Sequence, residues 1–266
     1  MSNAPPAPAT DLLVRQTGRA LVLTINRPDA GNSINIGVAD AIRRTLRAYR
    51  NSRDIFAVVV TGAGGRFFCT GGDLKAYRSL KTPAQLARAF GKVRKMLDDL
   101  EGFSLPVIAA IDGYAVGGGG DLALACDLRV ASSSARVGFV HTRVGLISGW
   151  NGVERLVATV GRSTAMKLLL TAEKLSAADA QALGLVDIVV EGPALDAALQ
   201  FTDRLAGAAP LTLRAVKRAV LAAIRKPPAE ARKVHADIFR ELWFSADHRE
   251  AERAFVEKRS PAFRGK

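Results

Sequence analysis

A chain of 266 residues, 48% apolar and 24% charged, has the makeup of a soluble globular protein with one sizeable core. Its net charge of +13 favours anionic partners such as nucleotide phosphates or nucleic acid. Asp112 and Asp121 interrupt the best apolar run before it reaches the roughly 18 residues of a membrane span, and two cysteines, Cys69 and Cys126, give neither a disulfide framework nor metal-ligand spacing, which fits a reducing, cytoplasmic setting.

Residues 1–10 are rich in Pro and Ala, lack the basic and apolar regions of a signal peptide, and read as a disordered tail. Two β-rich pieces, 12–16 and 20–25, separated by Thr17-Gly18-Arg19, predict a hairpin. Residues 27–32 read as a loop. Val38, Ile42, Leu46 and Tyr49 stand at helical spacing and predict a helix over 36–50. Residues 56–60 form a buried strand, followed by a glycine-punctuated loop over 61–74. A helix is expected over 83–100, with Pro83 in its first turn. Strands follow at 108–111, 128–131 and near 137–140, then a Gly-rich segment over 141–151. Helices are expected at 153–160, 163–170 and 177–183, a last strand at 186–190, and helices at 193–206, 211–224, 229–244 and 247–259. Alternating β and α, then helices alone, predict an α/β core over 11–192 and a helical extension over 193–266.

The stretch Ile108-Ala-Ala-Ile-Asp-Gly-Tyr-Ala-Val-Gly-Gly-Gly-Gly-Asp-Leu-Ala-Leu-Ala-Cys-Asp127 organises the rest. A buried strand runs into four glycines and the start of a helix, which leaves several backbone N–H groups without intrahelical partners. The helix dipole adds about half a positive charge there, and glycines let a ligand approach the backbone closely. This is a cradle for an anion, or for an oxygen that becomes one during a reaction. The loop 61–74 repeats the arrangement, so two sets of donors are expected to face one cleft. Neither loop has the spacing of a P-loop or of a dinucleotide fingerprint.

These segments carry a resemblance to the crotonase (enoyl-CoA hydratase/isomerase) superfamily over nearly the whole chain. Asn26-Arg-Pro-Asp-Ala-Gly-Asn-Ser-Ile34 resembles the family's opening motif. Phe68-Cys-Thr-Gly-Gly-Asp-Leu74 and Gly113-Tyr-Ala-Val-Gly-Gly-Gly-Gly-Asp-Leu-Ala-Leu-Ala-Cys-Asp127 resemble its two oxyanion segments. Leu175-Ser-Ala-Ala-Asp-Ala-Gln-Ala-Leu-Gly-Leu-Val186 and Phe255-Val-Glu-Lys-Arg-Ser-Pro-Ala-Phe263 resemble two C-terminal signatures. The resemblance implies a ββα spiral core, a C-terminal helical trimerisation region, a homotrimer or a hexamer built as a dimer of trimers, and an acyl-CoA substrate. Coenzyme A enters as part of that substrate; no separate cofactor and no metal are implied.

The resemblance also assigns roles. The amides of Gly72 and Gly118 hold the thioester oxygen. Hydratases of the family use two glutamates; Asp121 aligns with the first and His141 with the second. Asp121 is one methylene shorter, which sets its carboxylate about 1.5 Å further back, and a histidine can donate or accept a proton near neutral pH. Tyr77 and Trp150 are expected to line the acyl pocket, Asp73 and Leu74 to take part in binding the acyl-CoA, and Arg27 and Lys75 to lie beside the phosphates of CoA. Lys258, from a neighbouring subunit's C-terminal helix, is expected to meet the phosphates as well, and Phe255 to pack near the adenine.

One carboxylate and one histidine suit hydration. They also suit enoyl isomerisation, or decarboxylation of a malonyl-type CoA, because Phe139-Val-His-Thr-Arg-Val-Gly-Leu-Ile-Ser-Gly-Trp150 is similar to the ethylmalonyl-CoA decarboxylase branch. Ser148 lacks a nucleophile-elbow motif. A reading of another class comes from the basic comb Arg43, Arg44, Arg47, Arg50 and Arg53, because the family includes an RNA-binding homologue. The lack of RRM or KH signatures and of interleaved aromatics argues against RNA.

Overall fold

The computed structural model describes residues 10–266. Apart from Thr10, the tail expected over 1–10 lies outside the described residues. The antiparallel pair β1 (Leu12–Thr17) and β2 (Ala20–Ile25) turns at Gly18, whose φ is 54°. α1 (Ile36–Tyr49) starts at Asn35, which accepts the Val38 amide at 2.8 Å, and buries Val38, Ala39, Ile42 and Leu46. β3 (Ala57–Gly62), β4 (Phe67–Cys69) and the short α2 (Leu74–Tyr77) lead to α3 (Pro83–Glu101). A Thr82/Gln85 capping box opens α3, which buries Ala89, Val93, Met96, Leu97 and Leu100.

The next turns of chain are β5 (Val107–Ile111), β6 (Tyr114–Val116) and α4 (Gly118–Leu124), then β7 (Leu128–Ser132), β8 (Arg136–Gly138) and α5 (Gly152–Thr171). Gly161 (φ 77°, ψ 167°) breaks α5 where the sequence pattern shows two helices. After β9 (Lys174–Ser176), α6 (Ala177–Ala182) and β10 (Ile188–Val190), the chain is helical: α7 (Ala194–Arg204), α8 (Pro210–Arg225), α9 (Pro228–Trp243) and α10 (Ala246–Val256).

Two sheets result. One has the order β1-β2-β3-β5-β7-β10 and the other β4-β6-β8-β9. Three times in succession the chain lays a strand in the first sheet and then one in the second: β3 then β4, β5 then β6, β7 then β8. This is the spiral that the motifs imply. α8 is tied to the core by Lys217, whose buried Nζ donates to Asp127 Oδ2 (2.6 Å) and to the carbonyls of Leu105 and Leu100.

The second sheet is where the structure departs from the sequence reading. Residues 61–74 were expected as a loop, yet they hold β4; β6 and β9 were not expected either. Each is three residues long, too short to show a two-residue period.

Candidate active site

β4, β6 and β8 are neighbouring parallel strands, with Cys69 opposite Ala115 and Val116 opposite Gly138. Chain segments that leave the same ends of adjacent parallel strands are necessarily close, and such carboxyl ends are where open sheets build sites. β4 runs out into Gly71-Gly72, β6 into Gly117-Gly118, and β8 into Phe139-Val140-His141. Each nominated donor glycine follows a glycine of positive φ, Gly71 at 104° and Gly117 at 57°. That reversal leaves the next amide free, and only glycine adopts it without strain. Neither the Gly72 nor the Gly118 N–H has a protein acceptor among the described residues.

The two loops touch. A methyl on Gly71 would lie 2.9 Å from the Gly118 nitrogen, and one on Gly119 would collide with the Cys69 carbonyl group. Some of these glycines therefore serve loop-to-loop packing rather than ligand approach, which refines the sequence reading. α4 has only seven residues, so the donors act as individual amides more than as the end of a long dipole.

Asp121 lies three residues beyond Gly118 and is fully buried. Its Oδ2 accepts a hydrogen bond from Ser148 Oγ at 2.6 Å, and its Oδ1 is buried with no partner. Burial pushes its pKa up to about 6; the Ser148 hydrogen bond and the Arg155 charge pull it down, and Glu154 pushes it up. His141 Nε2 stands 3.7 Å from Asp121 Oδ2, outside hydrogen-bond range, and its Nδ1 is buried and unpartnered. Burial lowers the His141 pKa, so near neutral pH the imidazole is uncharged while most Asp121 is ionised.

An aromatic wall closes the site. A Cβ on Gly118 would lie 2.7 Å from Trp150 Cε3, and one on Gly72 would lie 3.2 Å from Trp150 Cζ2 and 3.3 Å from Tyr77 Cδ2. One indole thus rests against both donor glycines. Phe90 packs against the two other rings, 5.0 Å from Tyr77 and 6.5 Å from Trp150. Trp150 Nε1 is buried without a partner.

The residues expected to meet CoA are placed differently. Arg27 does not stand free: it donates to Asp73 Oδ2 (2.7 Å) and to the Ser33 carbonyl (2.8 Å), with Asp11 Oδ2 3.4 Å from its Nε. It is a strut. Asp73, held below the usual carboxylate range by that guanidinium, in turn caps α2 through the Ala76 amide, next to Gly72. Leu74 and Lys75 are exposed on α2. Phe255 is 86% exposed on α10, and Lys258 follows α10 at φ 54°; neither joins the site within the chain. Of the basic comb, Arg43 is taken by Asp99 at 2.7 Å. Cys69 and Cys126 are buried, and burial pushes both thiols up to about 12, so they serve as small apolar residues.

The sequence reading missed Ser148 as a partner of Asp121, Phe90 as part of the wall, and Gly152, where any Cβ would strike the Asp121 carboxyl. Helical spacing of Leu86, Phe90, Val93 and Leu97 marks Phe90 only as a half-buried ring. Ser148 leaves no local signal.

Comparison with known proteins bears on this site. A family model described as enoyl-CoA hydratase/isomerase matches residues 15–266. The chain is 38% identical over 248 residues to an (E)-benzylidenesuccinyl-CoA hydratase of Thauera aromatica, covering 91% of this chain and 94% of that protein. It is 35% identical over 259 residues to a 2,3-dehydroadipyl-CoA hydratase of Escherichia coli, covering 97% and 100%. Among solved structures, an enoyl-CoA hydratase from Bacillus anthracis superposes with a TM-score of 0.92 at 30% identity, covering 96% of this chain and all of that one.

Proposed function

Because the chain belongs to the enoyl-CoA hydratase/isomerase family, we propose that this acyl-CoA lyase hydrates a 2-enoyl-CoA to the 3-hydroxyacyl-CoA at the site formed by Gly72, Gly118, Asp121 and His141. The observation that carries the reading is the delivery of two unpartnered amides from the ends of β4 and β6, with a buried carboxylate one helical turn beyond the second.

The chemistry follows from the geometry. Ionised Asp121 takes a proton from a water held by neutral His141, and the water oxygen bonds to C3. The C2–C3 π pair moves towards the thioester oxygen, where the Gly72 and Gly118 amides meet the developing charge; one such donor is worth roughly 10²–10³ in rate. The proton then passes to C2. A carboxyl whose pKa is about 6 is suited both to take the proton and to return it. Water is excluded from the rest of the site by Tyr77, Phe90 and Trp150. These rings favour a compact or flat apolar acyl group, and the aryl group in the name of the Thauera relative's substrate fits that wall.

Decarboxylation of a malonyl-type CoA is the second reading. The single carboxylate beside a neutral histidine favours it, since loss of CO₂ leaves an enolate that needs the two amides more than a base. A spectrophotometric panel of crotonyl-CoA, a longer enoyl-CoA, cinnamoyl-CoA and methyl- and ethylmalonyl-CoA separates the readings. Loss of the enoyl absorbance supports hydration. Turnover of the malonyl esters alone replaces it.

The assembly proposed is a homotrimer, paired or not into a hexamer. Exposed Val216, Val220 and Ile224, spaced four apart on α8, and exposed Phe255 and Val256 support it. Light scattering on the purified chain checks it: three or six copies are expected, and a monomer overturns it. No helix among the described residues is long and apolar enough to cross a membrane.

A further inference from the structure

We propose that Ser148 is a positioning residue that clamps Asp121 through Oδ2 and so holds towards His141 the oxygen that handles the reacting proton. Three observations carry this. Ser148 Oγ is saturated: it accepts the Gly152 amide at 2.9 Å and the Trp150 amide at 3.3 Å, and its one proton goes to Asp121 Oδ2 at 2.6 Å. A hydroxyl has one proton and two lone pairs, so the Ser148 hydroxyl has no other orientation to choose. Asp121 Oδ1 is buried against Gly152 and bonded to nothing, while Oδ2, the clamped oxygen, stands 3.7 Å from His141 Nε2. Gly152 leaves the room, since any side chain there would strike the carboxyl, and a Cβ would also stand 2.7 Å from Ser148 Oγ.

A free carboxyl presents either oxygen after a half-turn about its last torsion, and the clamp removes that choice. Ser148 is ruled out as a nucleophile by the same geometry, because its proton and lone pairs are committed to holding Asp121 against the first turn of α5. The other groups that face the carboxyl are His141 after β8, Cys69 on β4, and Glu154 and Arg155 on α5. All remain when only the hydroxyl is removed, so a change in the Asp121 titration reads the clamp.

The first test does not depend on catalysis. The full-length protein is labelled with ¹³C-aspartate, and the Asp121 carboxyl resonance is assigned by its loss in Asp121→Asn. In Ser148→Ala the titration midpoint is expected to rise by roughly one pH unit, as a hydrogen bond to a charged group is lost, and to return towards the parent value in Ser148→Thr. A midpoint unchanged or lowered in Ser148→Ala overturns the proposal. If Ser148→Ala does not fold, Ser148→Cys, with a weaker donor of similar size, is read in its place with the same expectation.

The second test rests on the hydratase reading. With an enoyl-CoA that the parent enzyme turns over, the acid limb of kcat/KM in Ser148→Ala is expected to move up with the Asp121 midpoint, with kcat falling more than KM changes. An unmoved limb overturns the clamp and leaves hydration standing. A parent enzyme inactive on every enoyl-CoA overturns hydration, and the carboxyl titration still decides the clamp.

Discussion

In the six-stranded sheet, β1, β2 and β3 run for six residues and β5 and β7 for five, with only the edge strand β10 as short as three; in the four-stranded sheet every strand is three residues long. β5 is buried along its whole length, as a parallel strand covered on both faces should be. The short sheet has no such length to hold itself. β4, β6 and β8 inherit their places from the long strands, each following its long partner within a few residues in the same turn of the spiral. One sheet supplies register and stability. The other turns that register into the convergence of Gly72, Gly118 and His141.

That division is open to attack from both sides. Gly119→Ala in the short-sheet region drives a Cβ into the Cys69 carbonyl, a backbone clash that no rotamer relieves. It is expected to part the two donor loops and cut kcat by roughly 10³-fold, with a smaller loss of thermal stability. Equal loss of both would erase the distinction between the sheets. Leu23→Ala, at a fully buried position of β2, makes the opposite cut: a fall of about 2–5 kcal/mol in stability by denaturant titration, with near-parental KM and kcat in the fraction that remains folded. Altered kinetics there would show that the long sheet shapes the site directly.

Smaller effects sharpen the picture at Asp121. Asp121→Asn keeps the shape and removes the base, so hydration is expected to fall about 10²-fold or more; an unchanged rate removes the residue from the mechanism. The same variant reports on folding. Burial raises this carboxyl from its usual 3.8 to about 6, so the acid form suits the folded state. The stabilisation is complete below pH 3.8 and is lost as pH rises through about 6. Relative to the parent, Asp121→Asn is therefore expected to gain up to about 2–3 kcal/mol at pH 7 and nothing below pH 4, read as melting temperatures across that range. A gain that grows towards acid pH would have the wrong sign.

What the sequence made visible follows the same division. Apolar runs and helical spacing marked β2, β3, β5, α1 and α3, because long elements repeat their period. The glycine loops marked where free amides gather, because tight backbone approach leaves a compositional trace, and the family resemblance nominated Gly72 and Gly118 within them. β4 and β6, which bring those loops together, are too short to leave one. Ser148 and Asp121 stand 27 residues apart, and their contact exists only once α5 is folded against α4. Arg27 shows a partner that motif position leaves out. Its place beside a motif suggested a phosphate ligand, while Asp73, 46 residues away, takes its guanidinium.

The central claim is that two main-chain amides meet one acyl oxygen. ¹⁵N-glycine-labelled protein titrated with acetyl-CoA tests it most directly, with the Gly72 and Gly118 resonances assigned by single substitutions. Both amide protons are expected to move downfield together along one saturation curve. If acetyl-CoA binds and either amide stays in place, or the two saturate separately, the shared oxyanion site is contradicted.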